Sequence, residues 1–389
     1  MIFWIIELLG HSRFEYTSTR MLLAAMTSLL FCIFIGPFFI RKLYELKIGQ
    51  TIRKEDCPIL GELHQKKQDT PTMGGLLILS GMLLSLLFWM DFNAIQTYLL
   101  IFTTFALGIL GGRDDYLKLK YKNTKGLSAR KKLFFQTLIA SVVALYLLVP
   151  SISLSIKEKT GIDPPVIKVE SGTQMKPISL QKFASSIYIP FFKTPFFIVP
   201  TGVAFLFILF VIVGASNAVN LTDGLDGLAA GCLIIVASTL AIVAFVSNNL
   251  DISRYLNTPY IEGSGEIAVY LAAFVGATLG FLWYNGHPAE VFMGDIGSLS
   301  LGGVIGVSAI LLGRSIFLGI VAGVFVAEAL SVILQVTSYK LRNKKRIFLC
   351  APLHHHFEYS GWPETKVVIR FWIVALLLAI IGIASLKLQ

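Results

Sequence analysis

The sequence predicts an all-α polytopic membrane protein of about ten transmembrane helices, with a small β-hairpin in one outer-face loop. Three observations carry that reading. Of 389 residues, 55% are hydrophobic and only 14% are charged, against about 25% charged for a soluble domain. Apolar runs recur near residues 21–40, 73–90, 95–111, 133–150, 197–215, 228–247, 267–284, 299–313, 316–338 and 367–386, most of them close to the ~20 residues that a spanning helix needs. Lysine and arginine are shared unevenly between alternate loops, as topology signals are.

The first run, Met21 to Ile40, lacks a basic n-region and a small-residue cleavage site, so it is expected to be a retained helix. Loops 41–71, 112–132 and 339–366 carry 7, 8 and 6 Lys and Arg, 21 against 11 on the opposite side. The positive-inside rule makes those loops cytoplasmic and places both termini outside. The whole chain, 1–389, reads as one integral membrane domain. Its outer excursion, 151–197, holds six lysines and the alternating stretch Val166-Ile167-Lys168-Val169-Glu170, the pattern of a hairpin strand. The outer loop 248–266 reads as a polar connector.

The net charge of +10 is assigned to topology and anionic lipid, not to nucleic acid. Cys32, Cys57, Cys232 and Cys350 form no CxxC pair, which argues against a disulfide framework or a zinc site. Gly276/Gly280 and Gly302/Gly306 are GxxxG pairs, a mark of close helix packing that does not require a dimer. Glu328 falls inside a span and must face protein or water.

Five inner-face loops gather the polar chemistry. Near Lys67, Thr70-Pro71-Thr72-Met73-Gly74-Gly75 offers hydroxyls and free N–H groups at a helix start, suited to a phosphate; a plain capped helix is the bland alternative. Asp114-Asp115, followed by Lys118, places adjacent carboxylates at a membrane boundary. They repel unless a cation lies between them, and magnesium takes one or two carboxylates plus phosphate oxygens; an ion-pair cluster with Arg113 and Lys118 would also satisfy them. Asn217 to Leu228 supplies two asparagines, Thr222, Asp223 and Asp226, with glycines after each aspartate, more than a tight turn requires. The stretch Asn285 to Ser298 contains Phe292, a ring able to stack on a nucleobase or to anchor at the interface, and Asp295 just before a span. Last come His354, His355 and His356. Successive helical side chains diverge by about 100°, so the three suit phosphate contact or proton transfer better than one shared ion.

Together the motifs resemble the phospho-N-acetylmuramoyl-pentapeptide-transferase family, MraY, within the polyprenyl-phosphate N-acetylhexosamine-1-phosphate transferases. The matching parts are Pro71 to Gly75, Asp114-Asp115, Thr124-Lys125-Gly126-Leu127, Asn220 to Leu228, Phe292 to Asp295 and Ala351 to Glu358, spread over residues 20–386. The resemblance implies ten spans in a bacterial inner membrane. It implies Mg²⁺-dependent transfer of phospho-MurNAc-pentapeptide from UDP to undecaprenyl phosphate, giving lipid I and UMP for peptidoglycan synthesis. It also implies the residue roles. Asp295 is expected as metal ligand, Asp114 as base or nucleophile, and Asp115 and Asp223 as support for metal and phosphates. Lys67, Thr72, Asn220, Asp226, Asn285 and Phe292 are expected to bind substrate, as are Lys118, Lys122 and Lys132 through phosphates. His354 to His356 complete the set. The chain departs from the family pattern at Asp69, Gly112-Arg113 and Leu349-Cys350.

Two other readings remain at this stage. A sister transferase would use UDP-N-acetylglucosamine. A lipid or solute transporter should instead show mid-span ionisable residues and an internal repeat, and the carboxylates here cluster at one face. A homodimer is open.

Overall fold

The computed structural model describes residues 16–46, 70–121, 126–171 and 174–387. In chain order the first helices are α1 (Thr17–Glu45), α2 (Gly75–Trp89), α3 (Ile95–Lys120) and α4 (Ala129–Leu148). The outer excursion holds α5 (Pro150–Thr160), β1 (Ile167–Ser171), β2 (Gln174–Ile178), α6 (Leu180–Ala184), β3 (Ser186–Ile187) and β4 (Phe197–Ile198). Then follow α7 (Thr201–Thr222), α8 (Leu228–Ser247), α9 (Leu250–Tyr255), β5 (Tyr260–Ile261), α10 (Ser264–Asn285) and α11 (Gly294–Leu311). The chain continues through α12 (Ser315–Val321), α13 (Gly323–Leu341), α14 (Leu353–Tyr359) and α15 (Glu364–Lys387).

Among the described residues nine helices are long and apolar enough to cross a membrane: α1, α3, α4, α7, α8, α10, α11, α13 and α15. The tenth expected span is α2, with 15 residues. At 1.5 Å per residue it extends about 22 Å, short of the ~30 Å hydrocarbon thickness. The bundle is layered by burial. The apolar windows of α11, α10 and α8 are 94%, 78% and 72% buried, whereas those of α1, α13 and α15 are 28% buried. The peripheral helices therefore turn exposed apolar side chains such as Phe34, Phe38, Leu206 and Phe210 outward, where lipid accepts them. Both GxxxG pairs act inside the chain. A Cβ at Gly276 or Gly280 would strike α1 at Ala25 or Cys32, and one at Gly302 or Gly306 would crowd α7 at Ala215 or Ile212.

The outer face corrects two expectations. The predicted hairpin is present as β1–β2, with Ile167 opposite Ile178. The loop 248–266 is more than a connector: it forms α9, and its β5 pairs with the other edge of β1. The span placed at 197–215 begins later, at Thr201. Phe197–Ile198 pairs with Ser186–Ile187 instead, and Pro200, with its fixed φ, stands at the helix N-cap. Below this cap Arg20 and Glu266 form a buried two-bond ion pair at 2.9 and 2.6 Å. Glu266 also accepts the Asp91 N–H at 2.8 Å.

One inner-face boundary and the course of one span also differ. The span at 95–111 runs on as helix to Lys120, so Asp114 and Asp115 belong to α3 and not to a loop. The span at 316–338 is broken at Ala322, whose ψ of 21° interrupts the helix between α12 and α13.

Candidate active site

Five elements bring their inner-face ends together, and backbone pairing stitches two of them. Phe292 N–H donates to the Pro71 carbonyl, Gly74 N–H to Phe292 and Gly75 N–H to Met293, each at 2.8 Å. The Pro-Thr-Met-Gly-Gly stretch thus lies against Phe292–Gly294 and seats the start of α2 beside that of α11. At Gly75 a Cβ would collide with the Gly297 backbone, so a side chain there would prise the two helices apart. Thr72 is buried, and it lies beside Asp115 at Gly294, whose φ of +74° suits glycine.

The carboxylates meet at that seam. Asp114 is 1% exposed, Asp115 3% and Asp295 9%, and an oxygen from each lies within 4.8 Å of the others. Two ammonium groups bind them. Lys118 Nζ is 2.7 Å from Asp114 Oδ2, 3.0 Å from Asp295 Oδ2 and 3.7 Å from Asp115 Oδ1. Lys132 Nζ, from the first turn of α4, is 2.6 Å from Asp295 Oδ2 and 3.3 Å from Asp114 Oδ2. Each carboxylate is also aimed by a neutral donor. Leu127 N–H donates to Asp114 Oδ1 at 2.7 Å, Ile296 N–H to Asp115 Oδ2 at 3.1 Å, and Asn220 Nδ2 to Asp295 Oδ1 at 2.8 Å. Gly126, at φ +50°, makes the Leu127 contact feasible, since a Cβ there would press on the Asp114 carboxylate. Arg113 points away and is exposed, so it does not enter the cluster, and the ion-pair partners are the two lysines.

Asp223 follows the last residue of α7. Burial pushes its carboxyl up to about 8, with the negative charges of Asp295 and Asp115 adding to the rise and the Gly294 N–H opposing it. Three carboxylates against two ammoniums, with a fourth carboxyl close by, leave an excess of hard anionic oxygens. That donor set fits a hard divalent cation such as magnesium: Asp295, Asp114 and Asp115 could hold it, with Asp223 at hand.

Beside this cluster lies a second one. Asp226, 2% exposed, accepts from His287 Nδ1 at 3.0 Å and from Ala289 N–H at 3.1 Å, and its own N–H donates to Glu364 Oε1 at 2.8 Å. Asn285 spends its amide on the scaffold. Its Oδ1 accepts Gly227 N–H at 3.0 Å and its Nδ2 donates to the Val291 carbonyl at 2.8 Å, which braces the loop presenting the half-buried Phe292. The histidines diverge as expected. His354 Nδ1 meets Glu328 at 3.1 Å, His355 Nδ1 meets Glu358 at 2.7 Å, and His356 Nδ1 accepts the Leu349 N–H at 3.2 Å. Only His354 is fully buried, and its Nε2 abuts Gly224.

Of the residues that sequence reasoning singled out, the fold brings Asp114, Asp115, Asp223, Asp295, Lys118, Lys132, Asn220, Thr72 and His354 into one neighbourhood. Lys67, Lys122 and Asp69 lie outside the described residues. Sequence reasoning gave no site role to His287 or Glu364, and for Glu328 it offered a polar network or a shaping of the site. The signal that could have found them is positional: Glu364 opens a helix at the reactive face, and Glu328 is a lone carboxylate in an apolar span.

A membrane bundle with a carboxylate–lysine cluster at its lipid–water boundary belongs to the class of membrane-embedded transferases. The family model "Glycosyl transferase family 4" matches residues 97–313, and "Phospho-N-acetylmuramoyl-pentapeptide-transferase signature 1" matches residues 67–79. Curated proteins named phospho-N-acetylmuramoyl-pentapeptide-transferase are similar over nearly the whole length. The one from Protochlamydia amoebophila is 66% identical, covering 97% of this chain and 96% of its own. The one from Brachyspira hyodysenteriae is 46% identical over 98% and 96%, and that from Citrifermentans bemidjiense is 46% identical over 97% and 95%. The chain belongs to the phospho-N-acetylmuramoyl-pentapeptide-transferase family.

Proposed function

We propose that this multi-pass membrane enzyme transfers phospho-MurNAc-pentapeptide from its UDP-linked form to undecaprenyl phosphate, releasing UMP and forming lipid I, the membrane step that commits the precursor to peptidoglycan. The observation that carries the reading is the Asp114–Asp115–Asp295 cluster with its two bridging lysines, at the membrane boundary where a soluble nucleotide can meet a lipid phosphate. We place that face in the cytoplasm of a bacterium, with both termini outside, on the Lys and Arg bias of the loops.

Phosphoryl transfer asks mainly for positioning and charge neutralisation. A bound Mg²⁺ would supply neutralisation of the negative charge that develops on the leaving phosphate. Asp295, Asp114 and Asp115 would hold it, and Asn220 keeps Asp295 turned inward. Lys118 and Lys132 sit where phosphate oxygens can replace carboxylates as their partners, drawing both substrates to one point. Thr72, beside Asp115 at Gly294, faces the same region, whereas the Gly74 and Gly75 N–H groups, expected from the sequence to be free for a phosphate, are spent on the Phe292 and Met293 carbonyls. Phe292 and Asp226 form the nucleotide side, the ring stacking on uracil. Asp114 accepts any proton remaining on the lipid phosphate or orients that phosphate. The demand for a base is slight near pH 7, where the second phosphate pKa of ~6 is already passed.

Purified protein with undecaprenyl phosphate and Mg²⁺ should release UMP from UDP-MurNAc-pentapeptide and not from UDP-N-acetylglucosamine. UMP from the second donor alone moves the assignment to the sister branch. UMP from neither overturns the transferase reading in favour of transport.

A further inference from the structure

A carboxylate in a hydrocarbon-depth helix is costly unless it is fully partnered. Glu328, in α13 just beyond the break at Ala322, is 0% exposed. Both its oxygens serve one residue. Oε1 accepts the His354 backbone N–H at 3.1 Å, and Oε2 lies 3.1 Å from His354 Nδ1. A carboxylate in its ionised form only accepts, and opposite it the imidazole makes that bond with its proton on Nδ1. The other ring nitrogen, Nε2, points the opposite way, onto Gly224 beside Asp223. The Gly224 position has no room for a side chain against the ring, so the imidazole is gripped from both sides.

We propose that Glu328 is a positioning residue for the transfer reaction: it locks His354 in the Nδ1–H tautomer and so holds Nε2, as a hydrogen-bond acceptor, against the Asp223–Gly224 turn, setting that turn for the substrate. The inference rests on the transferase reading above for the identity of that substrate, but the tautomer itself does not. His355 and His356, whose Nδ1 atoms take other partners, are held for different ends. This also gives the helix break a use, since α13 carries Glu328 under the histidine segment.

The first test reads the wild-type protein. Selective ¹⁵N-histidine labelling in bilayers, with the His354 signal assigned by its loss in His354→Asn, should show a protonated Nδ1 and a bare Nε2. A proton on Nε2 in the wild type overturns the proposal, whichever donor the enzyme uses. The second test is Glu328→Gln, which keeps the acceptor for the backbone N–H but offers an amide N–H to Nδ1, moving the ring proton to Nε2. The kcat should fall about 10–100-fold, the range seen when the partner that orients a functional histidine is lost. KM and thermal stability should stay within about twofold and a few degrees. In the His354→Asn background the same change should cost nothing further. An unaltered kcat in folded Glu328→Gln, or an additive loss in the double variant, overturns the proposal.

Discussion

At the residue scale the site is a problem in charge balance. Asp114, Asp115 and Asp295 are buried together, and their mutual repulsion is held in check by Lys118 and Lys132. Removing one carboxylate therefore leaves two ammoniums to share two carboxylates and, on the function proposed above, takes away a cation ligand. Asp295→Asn is expected to lower turnover by about a thousandfold or more, as loss of a central electrostatic group does, and to flatten the Mg²⁺ dependence of UMP release. Full activity would take Asp295 out of the chemistry. Asp223 yields a pH prediction. Its carboxyl is held up to about 8, so at pH 6 it carries a proton that an incoming cation must displace. Mg²⁺ affinity, read by calorimetry in buffers of different ionisation heat, should rise from pH 6 to pH 8 with proton release. The stability of the cation-free fold should run the other way, falling as pH rises from the ordinary carboxylate range toward 8, because the folded state then binds the extra proton. An affinity flat with pH would detach Asp223 from the cation. Asp114 and Asp115 stand out in the sequence as adjacent carboxylates at a span end, and Asp223 and Asp295 as carboxylates set beside glycines where loops meet helices. The two charges that pair with them were harder to weigh: Arg113 is as close in sequence as Lys118, and only the turn of α3 shows which faces in.

At the element scale, close backbone approaches set the site. The α2 and α11 starts touch at Gly75 and Gly297, and α10 lies on α1 through Gly276. Gly276→Ala should lower stability by about 1–3 kcal/mol, the cost of overpacking a tight core, seen as a drop in the unfolding temperature in detergent with KM little changed. Gly75→Ala should cost activity as well, because the displaced α11 start carries Asp295; equal effects of the two changes on kcat would contradict this. The element list was largely readable from hydropathy. The exceptions have local causes. α3 continues past its apolar run because Asp114, Asp115 and Lys118 satisfy one another at helical spacing. α7 starts late because Pro200 and the β3–β4 pair precede it. The break at Ala322 has no proline to announce it.

At the scale of the whole molecule the two membrane faces divide the work. The outer face is braced by the sheet β2–β1–β5 and by the buried Arg20–Glu266 pair, which joins α1 to α10. Breaking such a pair strands a buried charge and costs about 3–5 kcal/mol. Arg20→Met should therefore lower thermal stability markedly while leaving the KM for both substrates near wild type, and a large KM change would show that the faces are coupled. The inner face takes its polar groups from helix ends that are far apart in the chain.

The sequence by itself determined the class of protein and where its apolar helices fall, and it singled out the aspartates that the fold gathers. Each of these follows from composition, periodicity or short motifs, which are properties of neighbouring residues. Tertiary structure alone decided that Lys132 and Asn220 converge on Asp295, that Glu364 backs Asp226, and that Glu328 holds His354. Those partners are separated by 26 to 163 residues, and no local pattern encodes which helix ends will pack side by side. What chooses them is the burial of the small-residue faces of α10 and α11, and the pairing of the carboxylates that this packing withdraws from water.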